Sequence, residues 1–196
     1  MNKINYDKKM QELMATLPKG TKLLLHSCCA PCSTACLERL HEHFSVTVLY
    51  YNPNIDDDEE YQKRKAEQKR LLAETGWAEF LDCDHDVERF YAIAQGLERE
   101  PERGERCYAC YALRLKKTAE LAKEHGFLWF ATTLTLSPLK NADWLNEIGA
   151  REGERVGVSY LFSDFKKQGG YLRSIQLSKE YELYRQDYCG CSFSKK

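Results

Sequence analysis

A three-layer α/β fold, its mostly parallel sheet flanked by helices, is predicted for this chain by three observations. Short apolar runs bounded by turn residues alternate with longer stretches of helical period. The short runs are rich in β-branched and aromatic residues, as in Val46-Thr47-Val48-Leu49-Tyr50-Tyr51. No repeat, low-complexity tract or break in composition divides the 196 residues, so the chain reads as a single domain, with a core over about 22–135 and a C-terminal helical region over about 136–196.

Taken in order, Tyr6 to Leu17 has helical spacing and stops at Pro18-Lys19-Gly20, and Lys22-Leu23-Leu24-Leu25-His26 is short enough for a buried strand. Pro31 opens a helix that reaches about His43, and Val46 to Tyr51 follows as the second strand. Asn52-Pro53-Asn54 breaks that strand, a charged helix spans Glu59 to Thr75 before Gly76, and Glu79 to Asp82 supplies a third strand. A helix over Val87 to Gln95 precedes a charged loop from Gly96 to Arg106. From there a long helix starts near Tyr108 and runs to Gly126, and Phe127 to Thr132 forms a fourth strand. Beyond Ser137-Pro138 the pattern predicts a helix from Ala142 to Glu152, an irregular link through Tyr160 and Phe165, and a last helix from Lys179 to Tyr188 capped by Ser178.

Composition narrows the function. The net charge of −1 does not advertise nucleic-acid binding, although Lys63, Arg64, Lys65, Lys69 and Arg70 crowd one segment beside Glu59, Glu60, Glu67 and Glu74, as on a solvated helix face. No apolar run approaches the ~20 residues of a membrane helix and no signal-peptide pattern is present, so a cytoplasmic location is expected. In that reducing compartment, cysteines serve as metal ligands or catalytic thiols more often than as disulfides.

Seven of the nine cysteines fall into three groups: Cys28, Cys29 and Cys32; Cys107 and Cys110; Cys189 and Cys191. One structural zinc takes four ligands, so seven thiols point to an iron–sulfur cluster, a second metal, or a redox pair beside it. The first group follows the first strand directly, at the carboxyl end where open parallel sheets bind ligands. Phosphate-binding folds place a glycine-rich turn there, whereas this chain places thiols. It resembles the adenine nucleotide alpha-hydrolase-like (HUP) scaffold without the Ser-Gly-Gly loop of the ATP-pyrophosphatases. Adjacent Cys28 and Cys29 are expected to serve different metal atoms, or one of them to be a redox thiol. Cys36 and Cys83 read as packing residues, with capping favoured over ligation for the acids Asp82, Asp84 and Asp86 around Cys83.

Four blocks carry a more specific signal. Leu23 to Cys32, Arg106 to Leu115, Thr135 to Lys140 and Tyr184 to Ser194 resemble the signature blocks of the QueH family of epoxyqueuosine reductases, with further similarity at Tyr50 to Ile55 and at Asp164 to Lys167, Gly170-Tyr171 and Arg173-Ser174. The resemblance implies reduction of the epoxide of epoxyqueuosine at the tRNA wobble position, the last step of queuosine formation. It also implies a 4Fe-4S cluster, a neighbouring mononuclear iron, no cobalamin and an external electron donor. The implied substrates are the tRNAs for Tyr, His, Asn and Asp. On this reading Cys107 and Cys110 join two of the first group, Cys28 and Cys29, on the cluster, while Cys189, Cys191 and a remaining cysteine or aspartate hold the single iron. Asp84, His26 and Tyr108 are candidate proton donors. Lys140, Lys166, Lys167 and Arg173 are candidate phosphate contacts, and Tyr51, Tyr108, Tyr111, Tyr171 and Tyr184 are candidate stacking residues. Two rivals stay open: a cluster-dependent tRNA sulfurtransferase, which needs ATP and hence a phosphate loop, and a non-enzymatic zinc-binding module.

Overall fold

The computed structural model describes residues 4–195. Five strands, β1 (Thr21–His26), β2 (Phe44–Leu49), β3 (Glu79–Leu81), β4 (Trp129–Thr132) and β5 (Ser159–Tyr160), form one sheet in the order β3-β2-β1-β4-β5. Every pairing is parallel, with Leu25 opposite Val48 on one side and Ala131 on the other. The helices are α1 (Tyr6–Met14), α2 (Ala30–Leu40), α3 (Asp58–Thr75), α4 (Val87–Ala94), α5 (Glu105–Glu124), α6 (Ala142–Val156) and α7 (Gly170–Glu180).

Alternation along β1 sorts the two faces. Leu23 and Leu25 pack with Leu37 and Leu40 of α2, Met10 of α1 and Leu177 of α7, whereas Leu24 packs with Ala119 and Ala122 of α5. Both faces are therefore covered, as a parallel sheet requires. Local signals fix the helix ends: Asp57 accepts from the Glu60 amide at 3.1 Å, Asn141 accepts from the Asp143 and Trp144 amides, and Gly76 and Gly157 close α3 and α6 in the left-handed region. Among the described residues no helix is long and apolar enough to cross a membrane.

Three elements differ from the sequence expectation. The link through Tyr160 contains β5, too short to carry a period-2 pattern. The long helix begins at Glu105, so Cys107 lies within its first turn. The last helix runs from Gly170 to Glu180 instead of Lys179 to Tyr188. Glu182 adopts a φ of 50°, and the segment beyond it docks on α3, where the Tyr184 amide donates to Glu67 at 2.7 Å and Arg70 to the Tyr181 carbonyl at 2.9 Å. Tyr181, Tyr184 and Tyr188 have the spacing of a helix face, but the contacts with Glu67 and Arg70 hold the segment in a non-helical path.

Gly170 opens α7 against the Phe165 carbonyl, in space that a Cβ would occupy. Gly170→Ala is expected to lower stability by about 1–3 kcal/mol through overpacking, read as a lower urea midpoint.

Candidate metal centre and substrate cleft

The chain leaves β1 in one direction, through α2, and β4 in the other, so the loops after these adjacent strands part and open a crevice. His26 ties the strand ends beneath it. Its Nε2 donates to the Tyr51 carbonyl at 3.0 Å and its Nδ1 accepts from the Thr132 hydroxyl at 3.0 Å, while that hydroxyl accepts from the Leu134 amide at 3.2 Å. Burial, then the Arg114 charge, pushes the His26 pKa down to about 3. His26 is thus neutral with both nitrogens engaged, and the expectation of a proton source there gives way to a structural role.

The Ser27 hydroxyl donates to Gln68 at 2.7 Å and Asn52 donates to the Ser27 carbonyl at 2.8 Å, which clamps the turn that carries the first thiols. Cys29 is the extended N-cap residue of α2, and the turn folds sharply enough for adjacent sulfurs to meet. The Sγ atoms of Cys28 and Cys29 lie 3.7 Å apart, and those of Cys28, Cys29 and Cys32 all lie within 4.8 Å of one another. Ligands of one tetrahedral metal have separations of about this size, given metal–sulfur bonds of ~2.3 Å. Cys28 and Cys29 therefore face a common point, which adjacent thiols reach only through a sharp backbone turn.

Charge in this triad settles on Cys28. Its thiol is held well below the usual range, first by the Cys29 and Cys32 thiols beside it and then by the charges of Lys140 and Arg114. Its neighbours move the other way, Cys29 up to about 12 and Cys32 well above its ordinary value, because Cys28 carries the negative charge next to them. The Gln186 amide donates to the Cys29 sulfur at 2.8 Å and keeps its own Oε1 buried without a partner.

The other four thiols gather on the α5 side. Cys107 accepts from the Arg103 amide at 3.3 Å, and Cys110 packs with Cys191 and Phe90. Cys110 is pushed up to about 12 by burial, opposed first by the Arg114 charge, and it feels Cys189, Cys191 and Cys107. Cys28 and Cys107 border one apolar cluster with Tyr111 and Leu134. The C-terminal segment reaches the site because buried Arg64 draws it in: its Nη1 donates to the Cys189 carbonyl at 3.2 Å, while its Nε is paired with Glu60 at 2.6 Å. Gly190, at a φ of 120°, passes so close to Ile55 and Arg64 that a Cβ would lie 2.7 Å from the Ile55 side chain.

Cys28, Cys32 and Cys189 line a cleft of about 650 Å³, whose walls also include Arg114, Lys140, Tyr171 and Tyr188. Lys140 donates to the Cys189 sulfur at 3.6 Å, a place among the thiols instead of at a phosphate. The other candidate cations divide. Arg173 forms a bidentate pair with Glu38 and Lys166 is paired with Asp164, so both are structural, whereas Lys167 is exposed. Among the aromatics, Tyr51 and Tyr111 are buried, and the Tyr184 hydroxyl donates to Glu60. Tyr171 is 37% exposed at the cleft. The Tyr108 hydroxyl lies between Glu147 and Arg151, and Asp84 is exposed in the loop after β3; neither lines the cleft. Cys36 is buried in the main core, and the Asp86 side chain accepts from the Tyr51 hydroxyl instead of capping α4.

Sequence reasoning assigned no role to Gln186 or Arg114, and it placed Arg64 on a solvated helix face, whereas the structure buries it against the C-terminal segment. The first two sit in the matched blocks, but nothing in their spacing marks them as neighbours of sulfur.

The fold and the site together define an α/β protein that carries a thiol pocket at the position where its fold class binds ligands. A family model described as Epoxyqueuosine reductase QueH matches residues 23–196. The chain is 42% identical to an epoxyqueuosine reductase QueH of Streptococcus pyogenes serotype M1, over 99% of this chain and 79% of the relative. It is 41% identical to one of Staphylococcus epidermidis, over 98% and 85%, and 32% identical to one of Thermotoga maritima, over 88% and 89%. This chain belongs to the QueH family.

Arg64→Ala is expected to release the C-terminal segment and to lower stability by about 1–3 kcal/mol, through the acceptors it leaves unmet. Limited proteolysis should then cut near residues 186–195 at a protease level that spares the unaltered protein.

Proposed function

We propose that this chain is an epoxyqueuosine reductase that acts on tRNA, the observation that carries this being the convergence of clustered thiols with buried Arg114 and half-buried Lys140 on one cleft in a QueH-family chain. The reaction removes the epoxide oxygen as water and leaves a carbon–carbon double bond, which takes two electrons and two protons.

The donor set fits an iron–sulfur group: soft thiolate sulfur, a turn that already holds Cys28 as a thiolate, and positive charge from Lys140 and Arg114 in place of carboxylates. Cys28, Cys29, Cys107 and Cys110 would hold a 4Fe-4S cluster, the Cys28 and Cys29 side chains turning apart so that each reaches its own iron. Cys32 and Cys189, both on the cleft wall, would hold a single iron together with Cys191. Such a group supplies electrons, and its iron a Lewis acid for the epoxide oxygen. The chain's own part is to hold the thiols, orient Cys29 through Gln186, and present Tyr171 at the mouth for a splayed base to stack on. An external reductant completes the cycle, with no cobalamin required.

Anaerobic incubation of iron-loaded protein with reductant and epoxyqueuosine-containing tRNA, followed by nucleoside mass analysis, should show queuosine. Persistence of epoxyqueuosine in protein of full iron content refutes the assignment, and colourless protein containing only zinc favours a binding module. Cys189→Ser should lose the single iron while keeping most of the cluster absorbance; loss of all iron rejects this division. Tyr171→Ala should weaken tRNA binding by about 1–3 kcal/mol, roughly 5- to 150-fold in Kd, in a filter or anisotropy assay.

A further inference from the structure

Arg114 occupies the face of α5 that carries Cys107 and Cys110, seven and four residues beyond them in helical register. It is 1% exposed. Its Nη1 donates to the Asn54 side chain at 2.6 Å, while its Nε and Nη2 are buried with no partner. Lys140 stands across the cleft wall with only the Cys189 sulfur as a polar side-chain partner among the described residues. Neither cation is paired with a carboxylate there; Glu102 and Asp187 line the same cleft but are exposed. The two cations also repel each other, and the cleft they share is lined by the Cys28, Cys32 and Cys189 thiols.

Burying a charge without a carboxylate partner is costly to a fold. A fold that keeps buried Arg114 and half-buried Lys140 on the wall of one thiol-lined cleft is suited to a centre more negative than the thiols alone. We infer that Arg114 and Lys140 are charge-balancing residues that raise the reduction potential of the iron–sulfur centre, so that a modest external reductant can load it with electrons. The physical reason is linkage: each electron added deepens the negative charge, and fixed positive charge in a low-dielectric wall favours the reduced form over the oxidised one. Arg114 acts as a positioning residue, through the sulfurs and not on substrate.

This inference rests on the proposed iron–sulfur reading, and the test separates the two. Whole protein is reconstituted anaerobically, and its midpoint potential is measured by dithionite titration followed by absorbance and electron paramagnetic resonance. Arg114→Gln is expected to disfavour the reduced form at least tenfold, a shift of about 59 mV to more negative potential for a one-electron couple. Arg114→Lys should recover most of this shift, and Lys140→Gln should move the potential in the same direction as Arg114→Gln. If the unaltered protein takes up no iron, the iron–sulfur reading itself fails. Normal iron content in Arg114→Gln with an unchanged midpoint overturns the inference, as does a shift that Arg114→Lys does not recover. Should both Arg114 variants fail to fold, Lys140→Gln decides: an unmoved potential there overturns the inference as well.

Discussion

Anionic sulfur buried in a protein needs positive charge close by, and the pocket of this chain is arranged around that constraint. In phosphate-binding relatives of the fold class, the requirement is met by amides at a glycine-rich turn. Here the turn after β1 holds Cys28, Cys29 and Cys32, and the compensation comes from side chains, Arg114 on α5 and Lys140 beyond β4. The Cys28 thiol is held well below its usual range first by the Cys29 and Cys32 thiols beside it, and then by these two charges. Cys29 and Cys32 then serve as hydrogen-bond donors to it.

The frame that delivers these groups is stiff at its base and fastened at its edge. His26 links the ends of β1 and β4 to the start of the loop after β2, which keeps the crevice at a fixed width. Its hydrogen bonds and low pKa are two expressions of one fact, an imidazole with no access to water. The C-terminal segment, by contrast, has little regular structure beyond one short 3-10 turn and is held by side-chain clasps to α3: Arg64 on the Cys189 carbonyl, Glu67 on the Tyr184 amide, Arg70 on the Tyr181 carbonyl. The thiols of Cys189 and Cys191 thus depend for their place on a helix that contributes no thiol itself.

Much of this was legible in the sequence. Periodicity placed the first four strands and the order of helices, and the position of Cys28 directly after a buried strand located the pocket, because ligand sites in parallel sheets follow from topology. The C-terminal quarter was not legible in the same way: Lys179 to Tyr188 has helical polar spacing, yet its conformation is decided by contacts with Glu67 and Arg70, more than a hundred residues earlier. Side-chain roles were the least legible. His26, Asp84 and Tyr108 were plausible acids by type, but sequence does not say that one is walled in and the other two lie off the cleft. Arg173 and Lys166 read as phosphate contacts until Glu38 and Asp164 are seen to occupy them.

That loss of free cations bears on how a polyanion would be recognised. In a chain of net charge −1, with Arg173 and Lys166 in internal pairs and Lys140 turned toward sulfur, the exposed cations on the cleft wall among the described residues are Arg185 and Lys195, and Lys195 is paired with Asp57. Phosphate contact alone supplies affinity in proportion to the charges neutralised, and here that number is low. The mouth instead exposes Leu139 and Tyr171, an apolar edge that a chain without a partner would gain by covering. Recognition of an unpaired nucleotide by stacking and shape, with few ionic contacts, is the mode that this surface fits, and it agrees with a target in a loop of RNA, where bases are already free to leave the stack.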